Sequence, residues 1–560
     1  MAAARSLPPE PPCARSRGRL PPAHDVTRLP VPPALGRLGL RLLWACRYGR
    51  FHAALARPQV AQARLLKAIL AAAARTEYGR QYAITGRESY REFRERVPIV
   101  DYDDLAPWIE RQTSRGGPVV TPEPPLVYEQ TSGSSGRQKL IPYTRSLLAS
   151  FNACFVIWAY DLLARGPRFE TGRLFLSASP AFRQERVTPS GVPLGFDDDS
   201  QYLSPTIRRL LGPGFVAPPG LKAVTDPTAY RLALATALVA EARLEIISVW
   251  SPTYLLALLD FITEHREAIG RALAGGDLEA GGRRFTFAPA QAARLRLLRA
   301  DPIPWDQLWP ALKLLSCWTD GSSGLFVDSL SRRFPGVLLQ GKGLLATEAP
   351  ITIPLIYAPA PVPLVDEVFL ELEDEAGCVT PLHEVDDGSV YGVILTQLGG
   401  LLRYRMHDRV VVQGRVERTP CLRFIGRDNQ VSDLVGEKVN EAFVRDALRR
   451  VFGDAEAFSF LVPVAAHGGP PHYACITDHP AGASPARASC LEAELSRAFH
   501  YRQARLLGQL APVGLVACAA ARERFEQYFL GRGLVWGDIK YTALLVRPTP
   551  GEVAAVGLVA

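Results

Sequence analysis

No two of the nine cysteines, at 13, 46, 154, 317, 378, 421, 475, 490 and 518, form a Cys-x-x-Cys pair. That argues against a zinc knuckle and a dithiol redox centre. The odd, scattered count fits a reducing compartment, and a cytoplasmic location is predicted. Cys154 and Cys317 fall in apolar runs and read as core thiols rather than nucleophiles. No run of 18 apolar residues is free of charge, so no transmembrane segment is predicted. The N-terminal stretch MAAARSLPPEPPCARSRGRL has no apolar core after its charges, which opposes a secretory signal. Methionine occurs twice, a shortage that goes with high Ala, Arg, Gly and Pro and reads as compositional bias.

The chain has 560 residues, too many for one core, and a globular balance of 48% hydrophobic and 21% charged residues. Its net charge of +8 invites a nucleic-acid reading. The charge is misplaced for that. Residues 1–50 hold nine arginines against Glu10 and Asp25, so the remaining body is close to neutral. No nucleic-acid motif is visible, and no nucleic-acid partner is predicted. Residues 1–35 read as a disordered, basic, Pro-rich tail. LGRLGLRLLWACRYGR (35–50) has the spacing of a basic amphipathic helix, packed on the body or lying on a membrane surface.

From Pro58 onward the patterning is regular. Strand-like runs such as GRLFLSAS, EIISVW, LKLLSCW and GVLLQGKGLLATE alternate with helical periods. That alternation predicts βαβ units and a largely parallel sheet. VDEVFLELED, GSVYGVILTQ, LLRYRMHDRVVVQGR and CLRFIGR alternate with a period of two and predict an antiparallel subdomain. After Arg427-Asp428 the pattern returns to mixed helix and strand. The predicted class is therefore α/β, with a large N-terminal domain (36–428) and a smaller, mobile α+β C-terminal domain (429–560).

The chemistry centres on EQTSGSSGRQKLIP (129–142). Glycines let backbone N–H groups converge, hydroxyls add neutral donors and Lys139 adds a point charge for a polyphosphate. A loop placed between a strand and a helix would set these donors near a helix N-terminus. The spacing is not that of a Walker A loop, in which Lys follows the second glycine directly. By itself the segment reads equally as a surface turn or a phosphate cradle. Glu348 in GKGLLATEAPITIP is expected at the end of a parallel strand, where it would hold Mg²⁺ or simply be solvated. Asp408 in LLRYRMHDRVVV is costly between apolar runs unless paired. Arg405 or Arg409 would give a salt bridge, and the functional alternative is acceptance of ribose hydroxyls.

Together these clusters resemble the ANL adenylate-forming superfamily, and within it the Gretchen Hagen family of acyl acid amido synthetases. The resemblance spans roughly 57–545 and includes FIGRDNQVSDLVGEKVNE (424–441), ISVWSPTYL (247–255), WTDGSSG (318–324) and GDIKYTALL (537–545). It implies an ATP loop made of Thr131, Ser132, Gly133, Ser134, Ser135, Gly136 and Lys139. It further implies Thr347 and Arg427 on the nucleotide, Mg²⁺ on Glu348, the ribose on Asp408, and Lys540 as a late catalytic lysine beside Lys139. An acid pocket would draw on Phe151, Trp250 and Trp318, each of which reads equally well as core.

The implied reaction joins a small carboxylic acid to an amine, in this family an amino acid, at the expense of ATP. Two positions depart from the family pattern. His407 stands where glycine is usual, and Leu344 where an adenine-stacking aromatic is frequent. An inactive, nucleotide-binding member acting through a partner is therefore an alternative, as is transfer to a thiol such as coenzyme A. A His-x-x-x-Asp-Gly pattern at His383 suits an acyltransferase base, but turn composition explains it.

Overall fold

The computed structural model describes residues 33–546 apart from 132–138, 177–186, 197–198, 322–325, 429–430, 433, 436, 454–456, 465–469, 480–482, 508, 533 and 535–538. Four parallel strands, Arg173–Leu176, Leu244–Ser248, Leu314–Ser316 and Leu338–Gln340, lie side by side in chain order. Helices Pro227–Ala240, Pro252–Glu264, Arg266–Gly275 and Val327–Arg333 occur in the crossovers. Phe175, Leu244, Ile247 and Leu315 from the sheet pack with Leu234, Leu238, Leu258 and Ile262 from the helices in one core. PTYLLALLDFITEHREAIGRAL reads as one helix from its period, but the structure breaks it at His265.

The second sheet is antiparallel, ordered Val379–Pro381, Phe369–Glu373, Val390–Thr396, Tyr404–Val416 and Thr419–Arg427. Its apolar face, including Leu370, Leu372, Val393 and Val410, packs with Leu66, Ile69 and Leu70 of helix Pro58–Ala73. The helix Pro33–Leu55 joins the same core through Tyr48, Phe51 and Leu55. Its Arg47 reaches Asp366 at 2.9 Å and Glu367 at 2.6 Å. So its inner face packs on the body, while Leu42 and Leu43 stay exposed.

C-terminal to Asp428, strands Ser459–Val464, His472–Thr477 and Gly514–Ala517 form a three-stranded sheet. It packs with helices Glu441–Phe452, Pro485–Leu495, Phe499–Leu506 and Ala521–Gly531 around Val444, Leu461, Tyr473, Leu491, Phe460 and Phe525.

Thr144 caps helix Arg145–Arg165, its hydroxyl accepting from the Leu147 N–H at 3.2 Å. With a mean hydropathy of 1.6 over its most apolar window, this helix is long and apolar enough to cross a membrane by length and composition. Its charge-free run, 146–160, is bounded by Arg145 and Asp161, so it falls short of an uncharged stretch of 18. Here its Phe151, Cys154, Ile157 and Leu162 are buried within the protein. Burial pushes the Cys154 and Cys317 thiols up to about 12, so neither is a ready thiolate.

One buried carboxylate fixes the edge of the parallel sheet. Glu245, at the start of its strand, accepts from the backbone N–H groups of Glu170, Thr171 and Gly172 at 2.5–2.8 Å. Lys313 stands 3.3 Å away. Burial opposes its ionisation, but the three backbone donors outweigh that and hold the pKa below the usual glutamate range. Glu245→Gln keeps the shape and removes the charge. Near neutral pH its unfolding free energy in urea should fall by about 2–3 kcal/mol, the scale of charged hydrogen bonds. A depressed carboxylate pKa supplies stability above the unfolded value of about 4.3 and loses it as pH falls through the folded value. The gap to wild type should therefore shrink as pH falls below the unfolded value and through the lower folded one, and a gap undiminished in acid contradicts the clasp.

Candidate active site

The segment Val127–Thr131 pairs antiparallel with Lys139–Tyr143, with Thr131 opposite Lys139. The Ser/Gly stretch thus joins two strands of a hairpin. The strand-to-helix placement expected from the sequence is wrong, because KLIPY pairs back on VYEQT before helix Arg145–Arg165 begins. Ser132, Gly133, Ser134, Ser135 and Gly136 lie outside the described residues, as does the Thr131 side chain.

Lys139 is half-buried, its ammonium 5.4 Å from the ring centre of Tyr102. Burial pulls its pKa below the ordinary lysine value, and Arg427 adds to the pull. Glu348, Asp103 and Asp101 act in the opposite sense. These carboxylates are therefore within electrostatic reach of the ammonium. The Tyr102 hydroxyl accepts from the Leu140 N–H at 2.7 Å, which pins the hairpin to helix Tyr102–Arg115.

Glu348 is not at the end of a parallel strand. The strand Leu338–Gln340 stops eight residues earlier, and Thr347-Glu348 forms the turn between the short pairs Leu345–Ala346 and Ala349–Pro350. Gly343, at φ +68°, permits the approach, since a Cβ there would lie 2.8 Å from the Thr352 carbonyl oxygen. The turn is tied to the hairpin by the Tyr143 hydroxyl, which donates to the Thr347 carbonyl at 2.6 Å. Gln397 Nε2 donates to the Glu348 carbonyl at 3.2 Å. Glu348 itself is buried. Among the described residues no group of three or more His, Cys, Asp or Glu is arranged to hold a metal ion.

Asp408 pairs with Arg427 at 2.9 Å, not with Arg405 or Arg409. Side chains alternate along a strand, so residues one or three apart in the same strand face opposite sides. The residue opposite Asp408 in the ladder is Arg427. Arg405 goes to Glu373 at 2.7 Å, and Arg409 to Glu375 at 3.1 Å and Asp428 at 3.5 Å. Arg427 also donates to the Met406 carbonyl at 3.0 Å.

The strand bulges here, with three residues between Arg405 and Arg409 set against one in the neighbouring strand. His407 consequently has φ +63°, a left-handed conformation that glycine adopts freely. The imidazole of His407 lies 3.1 Å from the Asp101 carboxylate. Leu344 is buried in the antiparallel sheet's core.

Lys540, from the far end of the chain, places its ammonium 5.0 Å from the ring centre of Trp318. The following segment is held by the Leu461 N–H to the Ala543 carbonyl (2.8 Å) and the Leu545 N–H to the Leu461 carbonyl (2.9 Å). Trp318 faces Trp250 at 5.9 Å. Phe151 is elsewhere, buried against Tyr143 and Tyr202 beneath the hairpin. His383 sits in the turn Leu382–Glu384, 3.3 Å from Glu384.

Tyr102 and Tyr143 are not marked by the sequence as site residues, and Asp101 reads there as a helix cap within a stretch, REFRERVPIVDYDDL, that shares the family likeness. No local pattern marks a tyrosine that will meet a loop far away. A cavity of about 290 Å³ separates the large body from the C-terminal elements, lined among others by Asp260, Arg333, Arg449, Asp478, Arg522 and Tyr541. Asp260 reaches Arg522 across it at 3.5 Å.

The family signature described as the GH3 family N-terminal domain matches residues 47–339, and that of the GH3 family central domain matches 367–427. A probable indole-3-acetic acid-amido synthetase, GH3.4, from Oryza sativa subsp. japonica is 25% identical, covering 87% of this chain and 86% of its own length. The indole-3-acetic acid-amido synthetase GH3.8 of Oryza sativa subsp. indica is 24% identical, covering 87% and 88%. The structure of AtGH3.15 acyl acid amido synthetase in complex with 2,4-DB superposes with a TM-score of 0.79 at 18% identity, covering 94% of this chain and 97% of that one.

Removing the carboxylate of Asp408 should leave the Arg427 guanidinium without its ionic partner. Asp408→Ala is expected to cost about 3 kcal/mol in urea unfolding, and the double change Asp408→Leu/Arg427→Met to recover most of it. A single variant as stable as wild type would deny the pair any structural part.

Proposed function

The chain belongs to the GH3 family, and from that premise we propose that it is an AMP-forming ligase joining a carboxylic acid to an amine. The acid carboxylate attacks the α-phosphorus of ATP, giving an acyl-adenylate and releasing pyrophosphate. An amine then attacks the acyl carbon, AMP leaves and an amide forms. The relatives named as indole-3-acetic acid-amido synthetases favour an amino acid as the amine.

One observation carries the reading: Lys139, Glu348 and the Asp408–Arg427 pair lie within one another's field at the mouth of the Ser/Gly hairpin. The hairpin would cradle the phosphates, with Lys139 offsetting their charge. Asp408, already oriented by Arg427, would accept from the ribose hydroxyls. A buried carboxylate on this turn suits Mg²⁺, which is commonly held by one or two carboxylates together with substrate phosphates. Glu348 would be that ligand, and the ion would neutralise phosphate charge when bound. Lys540 would serve the reacting carboxylate and α-phosphate.

Residues 429–560 would form a domain that rotates about Arg427-Asp428 between the two half-reactions. The polar, incompletely filled junction at Asp260 and Arg522 is the kind of interface that can part and re-form. A cytoplasmic setting accords with the free thiols among the described cysteines.

ATP–pyrophosphate exchange over a panel of carboxylic acids tests the proposal. Exchange should require an acid and fall about 100-fold or more in Lys139→Ala and in Glu348→Ala, the usual scale for a lost charge-stabilising group. Lys540→Ala should depress it similarly. Product mass then separates an amide from a coenzyme A thioester. ATP binding without exchange for any acid would instead identify a nucleotide-binding member with no ligase activity.

A further inference from the structure

The C-terminal edge of the parallel sheet carries a cation that the reaction above does not use. Ser248, Ser316 and Gln340 are the last residues of adjacent strands and lie in register. Two residues beyond each stands Trp250, Trp318 or Lys342. The backbone continues the alignment past the tips. The Val249 N–H donates to the Ser316 carbonyl (2.9 Å), the Trp318 N–H to the Trp250 carbonyl (2.8 Å) and the Cys317 N–H to the Gln340 carbonyl (3.2 Å). This is the edge at which open parallel sheets bind ligands.

The Lys342 ammonium donates to the hydroxyls of Ser248 at 2.8 Å and Ser316 at 3.3 Å. It lies 5.2 Å from the ring centre of Trp250 and 5.9 Å from that of Trp158. The Trp158 indole is itself held in place, donating to Gln340 Oε1 at 2.8 Å. Lys540 lies against the other indole of the Trp250–Trp318 pair. Each ring of the pair thus has its own ammonium, Lys342 at 5.2 Å and Lys540 at 5.0 Å. Trp158, Trp250, Trp318 and Lys342 are all half-buried, so each keeps a surface for a ligand. An apolar side chain would fill this wall of tryptophans at no desolvation cost, whereas a lysine adds a fixed positive charge.

We propose, resting on the ligase reading, that Lys342 determines specificity: the acid substrate carries a second anionic group, such as a second carboxylate, remote from the carboxyl that is activated. Lys540 serves the reacting end and Lys342 the distal one. The indoles hold the carbon skeleton between them.

The test is ATP–pyrophosphate exchange with matched acids: hexanoate against hexanedioate, and phenylacetate against its 4-carboxy derivative. In the wild-type protein kcat/KM should favour the diacid of a pair by about tenfold or more. Lys342→Met should lower diacid turnover about 100-fold while sparing or raising that of the monoacid, because a site built for a polar group rejects its absence and the converse change relaxes it. Lys342→Arg should restore the diacid preference. A wild-type preference for the monoacid in both pairs overturns the proposal, as does an equal loss for both members in Lys342→Met, which would make Lys342 a structural tie between the two strands. If the variant does not fold, the wild-type preference alone decides. Absence of exchange with every acid overturns the ligase reading as well, and is told apart by that.

Discussion

The pairing of Asp408 with Arg427 is the contact on which the site's arrangement hangs. It spans two strands of the antiparallel sheet at the place where the chain leaves the large body. At 2.9 Å and an effective dielectric near 20, the attraction is about 6 kcal/mol. Desolvating both ions takes back several kcal/mol, so the net stabilisation is modest. What the pair supplies is position. Arg427 reaches the Met406 carbonyl as well, and the Asp428 N–H donates to the His407 carbonyl at 2.8 Å. The bulge, the departing chain and the acidic side chain are thereby set against one another. Asp408 raises the pKa of Arg427, keeping the guanidinium charged beside Lys139 and Glu348.

Around that pair, two unlike layers meet. The antiparallel sheet contributes Asp408 and Arg427, and the hairpin contributes Lys139. The Tyr143–Thr347 and Tyr102–Leu140 hydrogen bonds lock the hairpin to the turn bearing Glu348 and to the helix that follows Asp101. The parallel sheet contributes a different wall, of indoles and a lysine, from the tips of its strands. A charged pole and an aromatic pole suit an acid that must be held by its carbon skeleton and activated at its carboxyl.

Thr144 followed by RSLLASFNACFVIWAYDLLAR is readable as a capped helix from that stretch alone, because capping is local. The antiparallel strands were legible because a half-buried strand repeats every two residues. Errors fell where geometry depends on a partner. The loop at 132–138 lies within a hairpin because KLIPY pairs backward. Glu348 lies on a turn because the strand before it stops at Gln340. Asp408 passes over its neighbours in the chain for an arginine across the ladder. His407 became intelligible only when its positive φ was seen.

The alternation of strand and helix, the change to antiparallel pairing from VDEVFLELED onward and the order of the motifs that mark the family can all be read along the chain. Those properties reside in short stretches, where periodicity and side-chain type suffice. The tertiary structure decided which charges meet: Asp408 with Arg427, His407 with Asp101, Lys540 with Trp318, and Lys342 with two serines and two indoles. These contacts depend on strand register and on the docking of segments far apart in the chain. Neither is written in any local pattern of residues, because each is fixed by burying one apolar face against another.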